Sequence, residues 1–322
     1  VFELDGQVTK GARVTRNSPA KRVNGWMSVL LILAVSQAQA QMPRPSLTVE
    51  GTFFGKARFD DPPVIDLAER PVRIGVAHFA GSLMYPVIFD HGKTMFFFEA
   101  AYHQRQFSFS DWPEGVSKDI DRLHEVSAGF TIRRAISRDW AVTLNLTPQL
   151  ASNFEGNKLH EEDFKFQGAV IVEKAFDQRW TAGLGVSYST TFGSLLPLPV
   201  LTFRYESGNR WRASGTLPSD IDLWYRLSSG SELGIVAHAE GGMYHIPGAF
   251  PEDFSIKDPE LQYISVLFGP AIQKQLGGMT FVVNGGLDYQ SLRLFDGVDE
   301  IDNSKYDLKP GVYVNTSVEI SF

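Results

Sequence analysis

The sequence predicts an all-β protein, a transmembrane antiparallel up-and-down β-barrel of about fourteen strands, with twelve as the other count the pattern allows. Three observations point there. Apolar and polar residues alternate with period two over runs of eight or more residues. Short turns alternate with longer, charged or Pro-containing loops. The one strongly apolar segment, Met27 to Val35, is about half the length of the roughly 20 residues that a membrane-spanning helix needs.

That apolar segment comes first in the chain. Lys21 and Arg22 precede it, and Ala38-Gln39-Ala40 follow it, placing small residues at Ala38 and Ala40. A basic stretch, a short apolar run and small residues at −3 and −1 form an export signal cleaved after Ala40. The expected organisation is a signal peptide with an N-terminal extension over 1–40 and a barrel over 41–322. Removing 1–40 leaves 25 Lys/Arg against 35 Asp/Glu, a charge that argues against nucleic acid as a partner. The chain has no cysteine, which excludes a disulfide-stapled domain, a Cys-ligated zinc site and a lipoprotein anchored through Cys.

Strands are expected near 46–56, 72–86, 93–107, 123–135, 139–150, 164–175, 179–190, 197–205, 210–216, 220–227, 232–245, 260–273, 279–292 and 308–322. The alternation is clearest where Trp180, Ala182, Leu184, Val186 and Tyr188 oppose Thr181, Gly183, Gly185, Ser187 and Ser189. It recurs over 140–147 and over 279–290. A soluble sandwich also alternates, but its strands have a mode of about five or six residues, whereas a bilayer strand needs about 9–11. The polar face carries Gly, Ser and Thr, which suits a lumen better than a solvated sheet. Long loops are expected at 57–71, 108–122, 151–163, 246–259 and 293–307. The links at 87–92 and at Leu217-Pro218 break the rule of short turns on one side and long loops on the other.

The last strand, VYVNTSVEISF over 312–322, places Val312, Val314, Thr316, Val318, Ile320 and Phe322 on one face. It resembles the terminal strand of bacterial outer-membrane proteins, whose assembly machinery recognises an alternating apolar strand ending in Phe. On that resemblance Val314, Val318, Ile320 and Phe322 form the assembly strand. Residues 195–227, LLPLPVLTFRYESGNRWRASGTLPSDIDLWYRL, are similar to a segment of uncharacterised, unknown-function bacterial outer-membrane barrel families. The resemblance implies a porin-like barrel in the outer membrane of a Gram-negative bacterium. Its partners would be outer-membrane lipid, lipopolysaccharide and the assembly machinery. It implies no activity, and the oligomeric state is open.

No nucleophile-elbow G-x-S-x-G and no H-E-x-x-H occurs, and no cofactor fingerprint is present. Two histidines stand beside carboxylates on a predicted lumen face, His103 with Glu99 and His238 with Glu240. Each could be an oriented base; a self-satisfied polar network accounts for them more simply. The acidic stretches Asp60-Asp61, Glu161-Glu162-Asp163 and Asp299-Glu300-Ile301-Asp302 fall in expected loops without an EF-hand spacing, so no metal site is expected. The predicted lumen charges are Glu50, Arg73, Glu99, Arg105, Glu125, Arg133, Arg212, Asp222, Arg226, Glu240, Asp288 and Glu319. The expected function is a passive small-solute channel or structural barrel, with no catalytic chemistry evident. The alternatives are a lipid hydrolase or acyltransferase using His103 or His238, and a surface-loop adhesin or binding barrel. A fourteen-stranded lumen is expected to be wide enough for a small channel, and a twelve-stranded one to be filled by side chains.

Overall fold

The computed structural model describes residues 43–59, 73–110, 121–154, 158–189, 197–208, 210–228, 230–248, 259–297 and 299–322. The predicted signal segment and its Ala38 and Ala40 lie outside these residues, as do Asp60 and Asp61.

Sixteen strands form one antiparallel sheet. They are β1 Ser46–Phe54, β2 Ala57–Arg58, β3 Arg73–Phe89, β4 Thr94–Ser110, β5 Arg122–Ala135, β6 Trp140–Ser152, β7 Phe164–Ala175 and β8 Trp180–Ser189. There follow β9 Leu198–Glu206, β10 Trp211–Leu217, β11 Asp220–Ser228, β12 Ser231–His245, β13 Pro259–Leu276, β14 Met279–Asp296, β15 Asp299–Asp307 and β16 Gly311–Ser321. Because β1 pairs with both β16 and β3, the sheet closes on itself. β2 is a two-residue addition on β3 and β15 pairs with β14 alone, off the ring, so the closed ring holds fourteen strands, the larger of the two expected counts. Closure removes the edges whose unpaired backbone groups lipid could not satisfy.

The facing follows the period-two reading. Leu184 and Val186 are exposed on the outside while Ser187 is buried. Val314, Ile320 and Phe322 likewise face out and are exposed, and Val318 shares their face. An apolar wall results, with an aromatic girdle near the short turns. Trp180 and Tyr205 pack at 4.6 Å, Trp211 and Tyr225 at 4.9 Å, and Lys174 lies 5.4 Å over Trp140. Such amphipathic side chains mark a membrane interface. The turns below them are built by local acceptors. Ser137 Oγ accepts the Trp140 N–H, Asp177 Oδ1 that of Trp180, and Ser207 Oγ that of Trp211. Gly208 and Gly277 supply the positive φ two such turns require.

Three expectations change. The link near 87–92 is a tight turn, with a 3₁₀ segment Asp90–Gly92 joining β3 to β4, so it belongs with the short turns. The segment 293–307 is mostly strand, because β14 continues to Asp296 and turns back as β15. Arg73 does not face the lumen. Its neighbour Ile74 is the buried, inward residue and Arg73 is exposed on the opposite face.

Candidate functional site

The wall is not of uniform height. β7 to β11 have 12, 10, 9, 7 and 9 residues, whereas β13 and β14 have 18 each. The low side has a cause in the neighbouring strand. Asp220, the first residue of β11, pairs with His238 of β12, and Ala239 N–H donates to Ser219 O at 2.8 Å. Beyond that point β12 leaves the wall. It stays paired with β13 up to His245, and there it meets Ser152 of β6, although five strands separate the two around the ring. Gly241 sits where the strand departs, and a Cβ there would lie 2.2 Å from Tyr263 O. Only glycine fits so close a backbone approach.

The tip of the β12–β13 hairpin therefore folds into the barrel. Residue facing shows this directly. Glu260 lies on the opposite face of β13 from Tyr263, yet it pairs with Lys165 on the inner face of β7. The outer face of the hairpin tip is thus covered by the inner face of the wall. Its inner face joins an apolar core with Ile74, Phe107, Leu123, Tyr244, Tyr263 and Leu292. Tyr244 and Tyr263 are fully buried. The half of the lumen away from the short turns is filled by these side chains.

A belt of polar side chains crosses the lumen beneath this core. Arg105 on β4 lies 3.9 Å from Glu240 on β12, donates to the Tyr244 hydroxyl, and stacks 5.6 Å and 5.4 Å from the Tyr244 and Tyr263 rings. His78 on β3 places Nδ1 3.2 Å from Glu240 Oε2. Its Nε2 is 3.2 Å from His103 Nδ1, with the two rings stacked at 15°. Tyr244 donates to Glu125 of β5 at 3.4 Å. Strands β3, β4 and β5 are thereby tied to β12 across the barrel. A second tie holds the hairpin at its rim, where His245 donates from Nδ1 to Asp163 Oδ1 at 2.7 Å, both side chains being buried.

His103 belongs to the belt through His78 and through its cross-strand neighbour Glu125. His238 pairs instead with Asp220, at the point where β12 leaves the wall. The two are not brought together, and among the described residues neither is hydrogen-bonded to a serine hydroxyl. Glu99 stands on the inner face below the belt, next to Gly129. Nearer the short turns Arg133 pairs with Glu173, and Arg212 and Arg226 share Glu232. Glu50 accepts from Asn315 at 2.5 Å, and Asp288 is hydrogen-bonded to Gln290. Asp222 and Glu319 also lie on inner faces. Among the described residues no group of His, Asp and Glu is arranged to hold a metal.

Sequence reasoning missed His78 and the Asp163–His245 tie. His78 was legible, since it alternates with Val76 and Ala80 on the inner face. Asp163 was not, because it lies in a 3₁₀ turn, Glu161–Asp163, that carries no period-two signal.

The model of the family described as Domain of unknown function (DUF6268) matches residues 89–317. No curated protein matches in sequence. Among solved structures the chain is similar to the TodX monoaromatic hydrocarbon channel (deltaS2 mutant), at 7% identity over 88% of this chain and 91% of that one, with a TM-score of 0.47. An outer membrane channel from Pseudomonas putida F1 gives 10% identity over 89% and 98%, with a TM-score of 0.42. LpxR from Salmonella typhimurium gives 10% over 86% and 100%, with a TM-score of 0.37. At these values the likenesses add nothing to what the strand pairing already establishes.

Proposed function

Since the chain belongs to the DUF6268 family, whose function is unknown, we propose from its geometry that it is an outer-membrane channel for small solutes, held closed by its own β12–β13 hairpin. The carrying observation is the latch in which Arg105, His78 and Glu125 grip Glu240 and Tyr244 across the lumen. A lumen filled for good would gain as much or more from apolar side chains at these positions, because desolvating charges offsets their attraction. A charged latch is instead a contact that water can replace when the hairpin moves. Strand number did not decide the matter: fourteen strands enclose a wide ring, and folding the wall inward closes it.

The reading includes export, with a mature chain beginning at Gln41, and short turns facing the periplasm. Cysteine placed at Asp299 should be labelled by an impermeant maleimide in intact cells. Cysteine at Arg138, in a short turn, should be labelled only after the outer membrane is opened. Planar-bilayer recording tests the channel. The wild type should be almost silent, and Glu240→Ala with Tyr244→Phe should give stepwise conductance. An open wild type, or a folded double variant that stays silent, would reject the closed-channel reading.

A further inference from the structure

Arg73 on β3 is directly opposite Arg58 on β2, so both side chains leave the same face of the sheet. That face is the outer one, since Ala57 and Ile74, the adjoining pair, are buried inward at 5% and 1% exposure. Lys56 joins them. Its stem passes over Gly75, where a Cβ would sit 3.5 Å from Lys56 Cγ, and its Nζ donates to Ser110 Oγ at 2.8 Å. Ser110 is the cross-strand neighbour of Arg73. Among the described residues no carboxylate is paired with Lys56, Arg58 or Arg73.

Three cations in one patch, two of them directly opposed, repel one another. In a chain of net charge −7 such a patch is also against the composition. Its height supplies the reason. On β3 the outward positions run Phe89, Tyr85, Leu83 and Phe79 through the apolar wall, and Arg73 follows four residues beyond Ala77. At about 3.3 Å per residue and a tilt near 40°, that is roughly 10 Å above the apolar band. This is the level of lipid headgroups, on the rim away from the short turns.

We infer that Lys56, Arg58 and Arg73 form a site for a phosphate group of an outer-leaflet lipid, a phosphorylated lipopolysaccharide. Two guanidinium groups present planar forks that can each take two phosphate oxygens, and the Lys56 ammonium adds a point charge beside them. The anion relieves the repulsion that the described residues leave in place. Ser110, on the same outward face of β4, accepts from Lys56 and keeps its own hydroxyl hydrogen for the edge of the site. The inference rests on the membrane orientation proposed above and not on the closed lumen. Labelling at Asp299 checks that orientation by itself.

The test uses protein purified from membranes in detergent and native mass spectrometry, with heat-dependent gel migration as the folding control. Wild type should retain purified lipopolysaccharide at least tenfold more tightly than Arg58→Gln/Arg73→Gln. The same lipopolysaccharide stripped of its phosphates should bind both proteins as weakly as the intact lipid binds the variant. Lys274→Gln, a basic residue near the opposite rim, should bind like wild type. Equal retention by wild type and the folded double variant would overturn the site. Displacement of the lipid by inorganic phosphate at no higher concentration than the lipid itself requires would overturn the lipid assignment in favour of a soluble anion.

Discussion

Tyr244 on β12 donates its hydroxyl hydrogen to Glu125 on β5 at 3.4 Å, although six strands separate them around the wall. The bond exists only because the hairpin has left the wall. Tyr244→Phe keeps the buried ring beneath Arg105 and removes the bonds to Arg105 and Glu125. The variant should fold and lose about 1–3 kcal/mol, the cost of leaving buried polar partners unsatisfied. It should migrate as unfolded at a lower gel-heating temperature, and its bilayer current should flicker where the wild type is quiet.

Arg105 and Glu240 should show strong coupling. Arg105→Met leaves Glu240 buried with His78 as its remaining contact, and Glu240→Gln leaves the Arg105 cation without its carboxylate. Breaking one side of such a pair costs about 3–5 kcal/mol. The double variant should cost less than the two singles together, by roughly 0.5–3 kcal/mol. Urea unfolding in detergent, followed by tryptophan fluorescence, measures the cycle. Strict additivity would mean that the two residues do not act as one latch.

Asp163 and His245 separate a hydrogen bond from a charge pair. His245 donates from Nδ1 to Asp163 Oδ1. Asp163→Asn retains an acceptor there, while Asp163→Ala retains none and opens a hole beside a buried ring. If the bond is what holds the hairpin at the rim, Asn should lose about 1 kcal/mol and Ala about 3 kcal/mol. Equal losses by gel-shift melting would point to the charge instead.

Much of this was legible in the sequence, for a physical reason that also marks where reading stops. Lipid outside and a polar lumen inside impose opposite demands on successive residues, so Trp180 to Tyr188 and Val312 to Phe322 declare their facing one residue at a time. β15 pairs with β14 alone, outside the closed ring, and there the alternation that identifies a wall strand is not demanded. Asp299-Glu300 therefore looked like loop. Arg73 is the first residue of its strand, so no alternation precedes it and its charge carried no information about facing. The hairpin fold was hidden more deeply. Glu260 and Met243 occupy the outward register and are buried by the wall's inner face, an arrangement set by β12 meeting β6 and not by any local pattern.

The filled lumen changes what substitution on β8 should do. Val186 is 52% exposed on the outer face, and arginine there should cost about 2–4 kcal/mol, the price of a charge near the bilayer midplane. A water-filled lumen would make arginine at the next residue harmless. Ser187, however, is 2% exposed and its hydroxyl is turned to Leu198 O at 3.5 Å. Val200, on the neighbouring strand's inner face, is fully buried. Ser187→Arg must therefore force a long side chain into packed space and bury its charge with no described carboxylate beside it. Overpacking alone costs about 1–3 kcal/mol, and the unpaired charge adds to that. The inward variant should accordingly be at least as damaging as the outward one, with less folded protein in the membrane and a lower unfolding midpoint in urea. Ser187→Ala should be close to neutral, because it removes a weak bond and no volume that the neighbours need. A well-folded Ser187→Arg would mean that the lumen beside β8 is open to water, and with it the inward-folded hairpin would be lost as the plug.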